Sequence, residues 1–487
     1  MLISSLILSN AVDLHMSAYS QQTKGGLILE SLWKINGIIN SYVWGPWMLI
    51  LLVGTGVWFT LYLGFPQFRY FGLMVREVIG RIRHKSTEEG SISSFAAMAC
   101  ALAATVGTGN IAGVATALHL GGPGALVWML ISAVFGMTTK FCEVTLAVRY
   151  REIDSLGCYR GGTMYILEKG LGMKWLAVIF ALFAFLASFG IGNAVQANST
   201  AEGISLAFGV PHLYTAVVLA FIVGLVVWGG LTRIAKVTVF LVPFMAIFYI
   251  GGALAVVINH ASEVPGAISM ALQGAFGDPM AIPGAMAGWA VKVAVQKGIS
   301  RGVFSNEAGL GSAPMVHCTA KVDHPVRQGL YGIFEVFVDT IVICTLTAMT
   351  ILTTGVITSQ PSLTGAQLTL SAFSMTLGGT GTMILSLGLA LFALSTILGW
   401  YYYAETALVY LCKGHYLIKP FKIFWIVLIV LGGWGGASVL TNLWDMSDTL
   451  NGLMAIPNLI GLLLLSKELK RLTNDFDAKI KSGELKK

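Results

Sequence analysis

Charge is what this sequence has least of. Asp, Glu, Lys and Arg together make up 11% of its 487 residues, against 56% hydrophobic. With a mean hydropathy of +0.77, that balance excludes a soluble globular domain. The six cysteines (Cys100, Cys142, Cys158, Cys318, Cys344 and Cys412) form no CxxC pair and avoid the loops expected outside. A disulfide framework and a thiolate metal site are therefore not expected. The eight histidines make no HExxH, which argues against a zinc enzyme. The N-terminal stretch to Asn40 lacks a basic start ahead of an apolar run, so no cleaved signal peptide is expected. A net charge of +7 is compatible with nucleic acid. The basic residues instead sit in loops beside apolar segments, where they set orientation.

What is present is a membrane-length segment with a poor helix in its middle. Residues 92–120 are apolar, yet Ala103-Ala104-Thr105-Val106-Gly107-Thr108-Gly109-Asn110-Ile111-Ala112-Gly113 lies inside them. Gly107, Gly109 and Gly113 each weaken a helix by roughly 1 kcal/mol relative to alanine. A helix opened in hydrocarbon must turn its freed N–H and C=O groups toward protein or a polar cavity. Such N–H groups suit a carboxylate and such carbonyls suit a small cation. Alone, the stretch reads equally as a close-packing GxxxG face through Gly109 and Gly113. A second stretch decides between the two. Asn110-x-Ala112-Gly113-Val114 is matched by Asn306-x-Ala308-Gly309-Leu310, 196 residues further on. Paired glycine-interrupted segments in two halves of a chain point to a transporter's binding site.

Eleven spans are expected, at 42–64, 92–120, 124–148, 174–200, 212–230, 237–258, 284–316, 328–356, 382–411, 420–440 and 447–465. All but six of the 30 basic residues fall in alternate loops or the tail after the last span. The intervening loops carry Glu202, Glu263, Asp278, Asp445 and Asp448 instead. This places the N-terminus outside and the C-terminus in the cytoplasm. The exceptions are Lys24, Lys34, Lys140, Lys292, Lys297 and Arg301. The last three precede the second break and imply that this half-span faces a wet vestibule or snorkels.

The expected domains are an extracytoplasmic segment 1–41, a transmembrane domain 42–465 and a cytoplasmic tail 466–487. With the first span set aside, the others divide into five and five, about 92–258 and 284–465. An odd count inverts the second set relative to the first. Each set opens on an Asn-x-Ala-Gly break. The fold class expected is all-α integral membrane, a five-plus-five inverted repeat of the LeuT type with one extra N-terminal helix.

The runs Gly107-Thr108-Gly109-Asn110-Ile111-Ala112-Gly113-Val114-Ala115, Gly121-Gly122-Pro123-Gly124-Ala125-Leu126-Val127-Trp128-Met129 and Phe304-Ser305-Asn306-Glu307-Ala308-Gly309-Leu310-Gly311-Ser312-Ala313-Pro314 resemble the alanine or glycine:cation symporter family. One small departure is Val127, where the family more often has phenylalanine. The resemblance covers essentially the whole chain. It implies import of small neutral amino acids (alanine, glycine, serine or glutamine) driven by co-transported sodium, with proton coupling in some members. It also implies a bacterial or archaeal plasma membrane, and a carrier working as a monomer without nucleic acid.

A zwitterion needs donors for its carboxylate and acceptors for its ammonium. Thr108 and the Gly109 N–H are the expected carboxylate binders, with Asn110 serving substrate, ion or both. Gln196 is similar in position to a substrate-binding glutamine of the family, and with Asn193 it puts two amides on one helical face. Its distance along its span sets it toward the outer half. Carbonyls near Phe304 and Ser305 would take the ammonium, and Phe304 and Trp400 would limit side-chain volume. By similarity to LeuT-type transporters, the carbonyls of Ala103, Val106 and Phe392 and the hydroxyls of Ser395 and Thr396 would bind sodium.

Charged residues at membrane depth are functional candidates. Glu335 and Asp339, four apart on one face, would make a like-charge pair able to hold a proton or a second cation. Glu307 would hold the unwound backbone or take part in coupling. Glu143, near Lys140, and Glu405, after three tyrosines, read as structural. An embedded enzyme is disfavoured, since His119 has no acid at helical spacing. A channel would more naturally be a symmetric oligomer with one pore motif per subunit.

Overall fold

The computed structural model describes residues 31–80, 90–277, 284–435 and 437–485. Lys24, Arg81, Arg83, Lys85, Asp278, Lys486, Lys487 and most of segment 1–41 lie outside the described residues. Helix 31–43 turns at Trp44 and Gly45, and Pro46 at the first helical position starts α1, Pro46–Tyr62. The first broken span is α2, Ser94–Thr105, and α3, Ala112–Gly121. Then follow α4, Ala125–Arg149; α5, Lys174–Phe208; α6, His212–Val227; and α7, Gly230–Asn259. A helix within the loop before the second half, α8, Val264–Phe276, was not anticipated. The remainder is α9, Gly284–Asn306; α10, Pro325–Thr353; α11, Gly365–Cys412; α12, Ile418–Trp434; α13, Ala437–Leu464; and α14, Ser466–Ser482.

Six of the described helices are long and apolar enough to cross a membrane, and eight if each bent pair counts once. The apolar α6, with 16 residues, falls short of that length, and α12 has 17 residues. The expected span at 382–411 is the second part of α11, which is kinked at Gly378 (φ 58°, ψ −140°). Asp445 and Asp448, expected in a loop, lie within α13. The expected tail is a docked helix. α14 bends 62° from the segment Trp444–Leu464 and buries Leu469, Leu472 and Phe476. Salt bridges from Arg149 to Glu468 (3.0 Å) and Arg69 to Asp477 (3.3 Å) tie it to the basic loops.

Two local features bring the broken spans together. Ser93 caps α2 by accepting from the Ala96 amide at 3.2 Å, a cap contributing about 1 kcal/mol. Ile92 and Ser93 itself pair in parallel with Ala320 and Lys321, beyond the second break. The start of one broken span thus sits beside the end of the other. The alanine-rich α2 also lets α11 approach closely, since a Cβ on Gly399 would meet the Ala104 Cβ at 2.6 Å.

Candidate functional site

The first discontinuity falls where the glycines predict it. Val106 leaves the helix (φ −76°, ψ 101°), Gly107 is extended, and Thr108–Asn110 form one 3₁₀ turn. The two pieces are bent by 59°. Asn110 organises the gap. Its Oδ1 accepts from the Gly107 amide at 2.8 Å, and its Nδ2 donates to Asp339 Oδ1 at 2.6 Å. The Gly107 amide would otherwise close the helical turn onto the Ala103 carbonyl.

At the second discontinuity α9 stops at Asn306, followed by Glu307 (φ 55°), Gly309 (φ 95°) and Gly311 (φ 79°). Left-handed backbone is natural for the glycines and costs a non-glycine residue about 1–3 kcal/mol. Glu307 is held there by two side-chain contacts. Trp400 Nε1 donates to its Oε1 at 2.9 Å, and Ser312 Oγ donates to its Oε2.

Asp339 joins the two gaps. Besides Asn110, it accepts from Ser305 Oγ at 2.9 Å and from Thr340 Oγ1 at 2.7 Å. Phe304 lies over Gly109, where a Cβ would meet its ring at 3.3 Å, and stacks on Trp444 at 5.8 Å. Thr108 keeps its hydroxyl buried without a partner among the described residues, and its amide donates to Gln196 Oε1 at 3.4 Å. Thr108, Gly109, Asn110, Gln196, Phe304 and Ser305 are therefore brought into one region.

Gln196 reaches this region because α5 is long, at 35 residues, and contains a π turn at Gly190–Ala194. The wider turn changes the helical phase. Gln196 Nε2 donates back to the Ile191 carbonyl at 2.9 Å, while Asn193 Nδ2 donates to the Trp425 carbonyl at 3.0 Å. The two amides do not share a face, contrary to the expectation from i, i+3 spacing.

Trp400 is not placed as a wall of that region. It is fully buried, packs edge-on to Tyr403 and sits where a Gly192 Cβ would be 2.4 Å away. Its contact with the site runs through Glu307.

Four of the five expected cation ligands converge. Ser395 Oγ and Thr396 Oγ1 approach the Val106 carbonyl at 3.4 and 3.3 Å, and Ser395 Oγ donates to the Phe392 carbonyl at 2.8 Å. The fifth, Ala103, is the residue whose helical donor is turned away to Asn110. The set is all oxygen and carries no carboxylate, which suits a hard monovalent cation.

Glu335 and Asp339 share no hydrogen-bond partner. Glu335 takes Lys140 Nζ at 3.2 Å, Thr105 Oγ1 at 2.7 Å and His317 Nε2 at 3.0 Å. The two acids have separate sets of partners, each facing different helices across a π stretch, Phe337–Cys344. Glu405 fits its structural reading. It accepts from Arg160 Nη2 at 3.2 Å and Tyr401 at 2.7 Å.

Lys297 and Arg301 line a cavity of about 220 Å³ with Asn40, Trp44, Phe304 and Asp448. Arg301 pairs with Asp448 at 3.1 Å, whereas Lys292 lines an apolar groove against α1.

Sequence reasoning undervalued Glu143 and gave no role to Asn458. Glu143 Oε1 accepts from the Gly309 amide (3.1 Å), the Gly311 amide (3.0 Å) and Asn458 Nδ2 (2.6 Å). The available signal was a carboxylate at membrane depth, which needs internal partners.

Two broken helices joined through buried polar side chains, inside a multi-pass bundle of apolar helices, define a membrane transporter rather than an enzyme. The chain belongs to the sodium:alanine symporter family, whose profile matches residues 29–487. It is 45% identical over 456 residues to the sodium/alanine symporter AgcS of Methanococcus maripaludis, covering 92% of this chain and 98% of that protein. A probable sodium/glutamine symporter GlnT of Bacillus subtilis is 39% identical over 456 residues, covering 93% of each. Among solved structures, MhsT in complex with L-phenylalanine matches with a TM-score of 0.56 at 15% identity. That match covers 77% of this chain and 89% of MhsT, and it places the fold among LeuT-type transporters.

Proposed function

We propose that this protein is a sodium-coupled symporter importing small neutral amino acids, alanine and glycine foremost, by alternating access. The observation that carries the sodium reading is the meeting of Val106 and Phe392 carbonyls with Ser395 and Thr396 hydroxyls at the first break. The substrate sits between the breaks, its carboxylate toward Thr108 and Gly109 and its side chain under Phe304. Asn110, Gln196 and Ser305 fix its surroundings. The names of related symporters support alanine or glutamine as substrate class.

The finer architecture belongs to the same proposal. It is eleven spans, with inverted repeats at about 92–258 and 284–465, the N-terminus outside and the C-terminus cytoplasmic, in a plasma membrane. The protein acts as a monomer with no nucleic-acid partner, and α14 lies on the cytoplasmic face. A proton bound between Glu335 and Asp339 is the rival drive. The Lys140 ammonium already neutralises Glu335, which argues against that pair.

Replacing both Ser395 and Thr396 by alanine removes two oxygens from the cation set. The sodium concentration for half-maximal alanine uptake is expected to rise at least about tenfold, since roughly 1.4 kcal/mol of lost binding is one decade. Uptake measured against sodium concentration at matched expression checks this, and an unchanged midpoint removes the site.

A further inference from the structure

The second break is surrounded by more carboxylates than cations. Glu143, Glu307, Glu335, Lys140 and His317 are all buried at 2% exposure or less. Lys140 pairs with Glu335. His317 adds no charge. Gln328 Nε2, a donor only, meets His317 Nδ1 at 2.9 Å, and it also donates to the Ser94 carbonyl, which fixes the amide's orientation. Nδ1 must therefore accept, which leaves the proton of a neutral imidazole on Nε2 to donate to Glu335.

Glu143 and Glu307 remain, and neither has an ion-pair partner among the described residues. An ionised carboxylate buried without a cation costs several kcal/mol. The two acids differ in how their oxygens are used. Glu307 has a partner on each oxygen, Trp400 Nε1 and Ser312 Oγ, so neither oxygen is left bare in either protonation state. Glu143 takes three donors on Oε1 and none on Oε2, which is buried and has no partner among the described residues. An anion spreads its charge over both oxygens and would leave the Oε2 half with no donor, whereas the neutral acid leaves one O–H without an acceptor, the smaller cost of the two.

We propose that Glu143 is a proton-binding site, carrying a proton on Oε2 while it clamps the Gly309 and Gly311 amides. The proton comes from solvent and returns there, and no bond other than O–H forms or breaks. Asn458 completes the clamp by donating to the Gly309 carbonyl at 2.9 Å, and Thr163 Oγ1 contacts the Gly311 carbonyl at 3.0 Å. Losing the proton places an uncompensated charge at the break and disfavours this arrangement of it. The titratable groups facing the cluster are Lys140 on α4, Glu335 on α10, His317 and Glu307 beside the break, and Tyr403 on α11. The site is distinct from the Asp339 junction and from the oxygens around Val106.

The consequence for binding rests on the amino-acid transporter reading, whereas the proton itself does not. Glu143→Gln copies the neutral acid, with a carbonyl for the three donors and an amide in place of the hydroxyl. Alanine affinity of the purified full-length protein at saturating sodium is expected to fall at least about tenfold from roughly pH 6 to roughly pH 9. In Glu143→Gln it should stay high and nearly flat, and in Glu307→Gln it should keep the wild-type slope. A flat wild-type profile, a Glu143→Gln profile that follows wild type, or a folded Glu143→Gln protein that binds at no pH overturns the proposal. Infrared spectroscopy reads the proton without alanine. A protonated-carboxyl C=O stretch at neutral pH should be present in wild type and lost in Glu143→Gln, and its absence from wild type also overturns the proposal. Wild type that shows the band but binds no alanine at any pH contradicts the transporter reading alone.

Discussion

Asn110→Ala is expected to abolish measurable alanine binding, lowering affinity by at least about a hundredfold. The substitution removes both halves of a bridge. The Gly107 amide loses the acceptor that keeps it out of the α2 helix, and Asp339 Oδ1 loses its donor from the first break. A buried polar group left unpaired costs about 1–3 kcal/mol, and two are created here. The cheapest relief is for the Gly107 amide to return to the Ala103 carbonyl, which extends α2 into the gap and takes away a proposed sodium ligand. Binding should therefore fail at every sodium concentration, while the protein still extracts and elutes as wild type does. Scintillation-proximity binding of labelled alanine checks it. Wild-type affinity in Asn110→Ala would mean that the gap is held by something else.

Gly107→Ala is the second large effect, and it is aimed at the cation. A Cβ at Gly107 would lie 2.5 Å from Thr396 Oγ1, a distance real Cβ contacts do not tolerate. The backbone there is extended, so conformation is no obstacle and the conflict is wholly one of space. Either the break shifts or Thr396 turns its hydroxyl away from the Val106 carbonyl. Both outcomes dismantle the oxygen set while leaving Asn110, Ser305 and Asp339 chemically intact. Sodium-dependent uptake should drop to background at sodium levels that saturate wild type, with partial recovery when sodium is raised well above them. Loss of uptake with unchanged sodium dependence of binding would assign Gly107 to substrate instead.

What the sequence made legible, and what it did not, follows from the kind of interaction involved. Glycine-rich interruptions in apolar segments announce an opened backbone, so both breaks were readable in place. Asn110 and Ser305 were readable because a polar side chain at such a gap has few other uses. The π turns at Gly190–Ala194 and Phe337–Cys344 were not. One extra residue per turn rotates everything beyond it, which turned Gln196 from Asn193 and gave Glu335 and Asp339 separate partners. Trp400 was misjudged because a side chain's direction depends on which helix lies opposite, here the one carrying Gly192. The work of Glu143 was hidden for a related reason. Its partners include backbone amides of Gly309 and Gly311, and main-chain groups leave no trace in residue identity.

The central claim is that a sodium gradient drives amino-acid import through the joined breaks. Each elementary charge crossing the field gains about 2.3 kcal/mol per 100 mV, so an inside-negative potential should speed accumulation of a neutral zwitterion that moves with sodium. The most direct measurement is uptake of labelled alanine into proteoliposomes with an imposed inward sodium gradient at equal pH, and then with an imposed pH gradient and no sodium. The account predicts concentrative uptake in the first condition, enhanced by the inside-negative potential, and none in the second. Uptake driven by the pH gradient without sodium, and lost on Asp339→Asn, would contradict it.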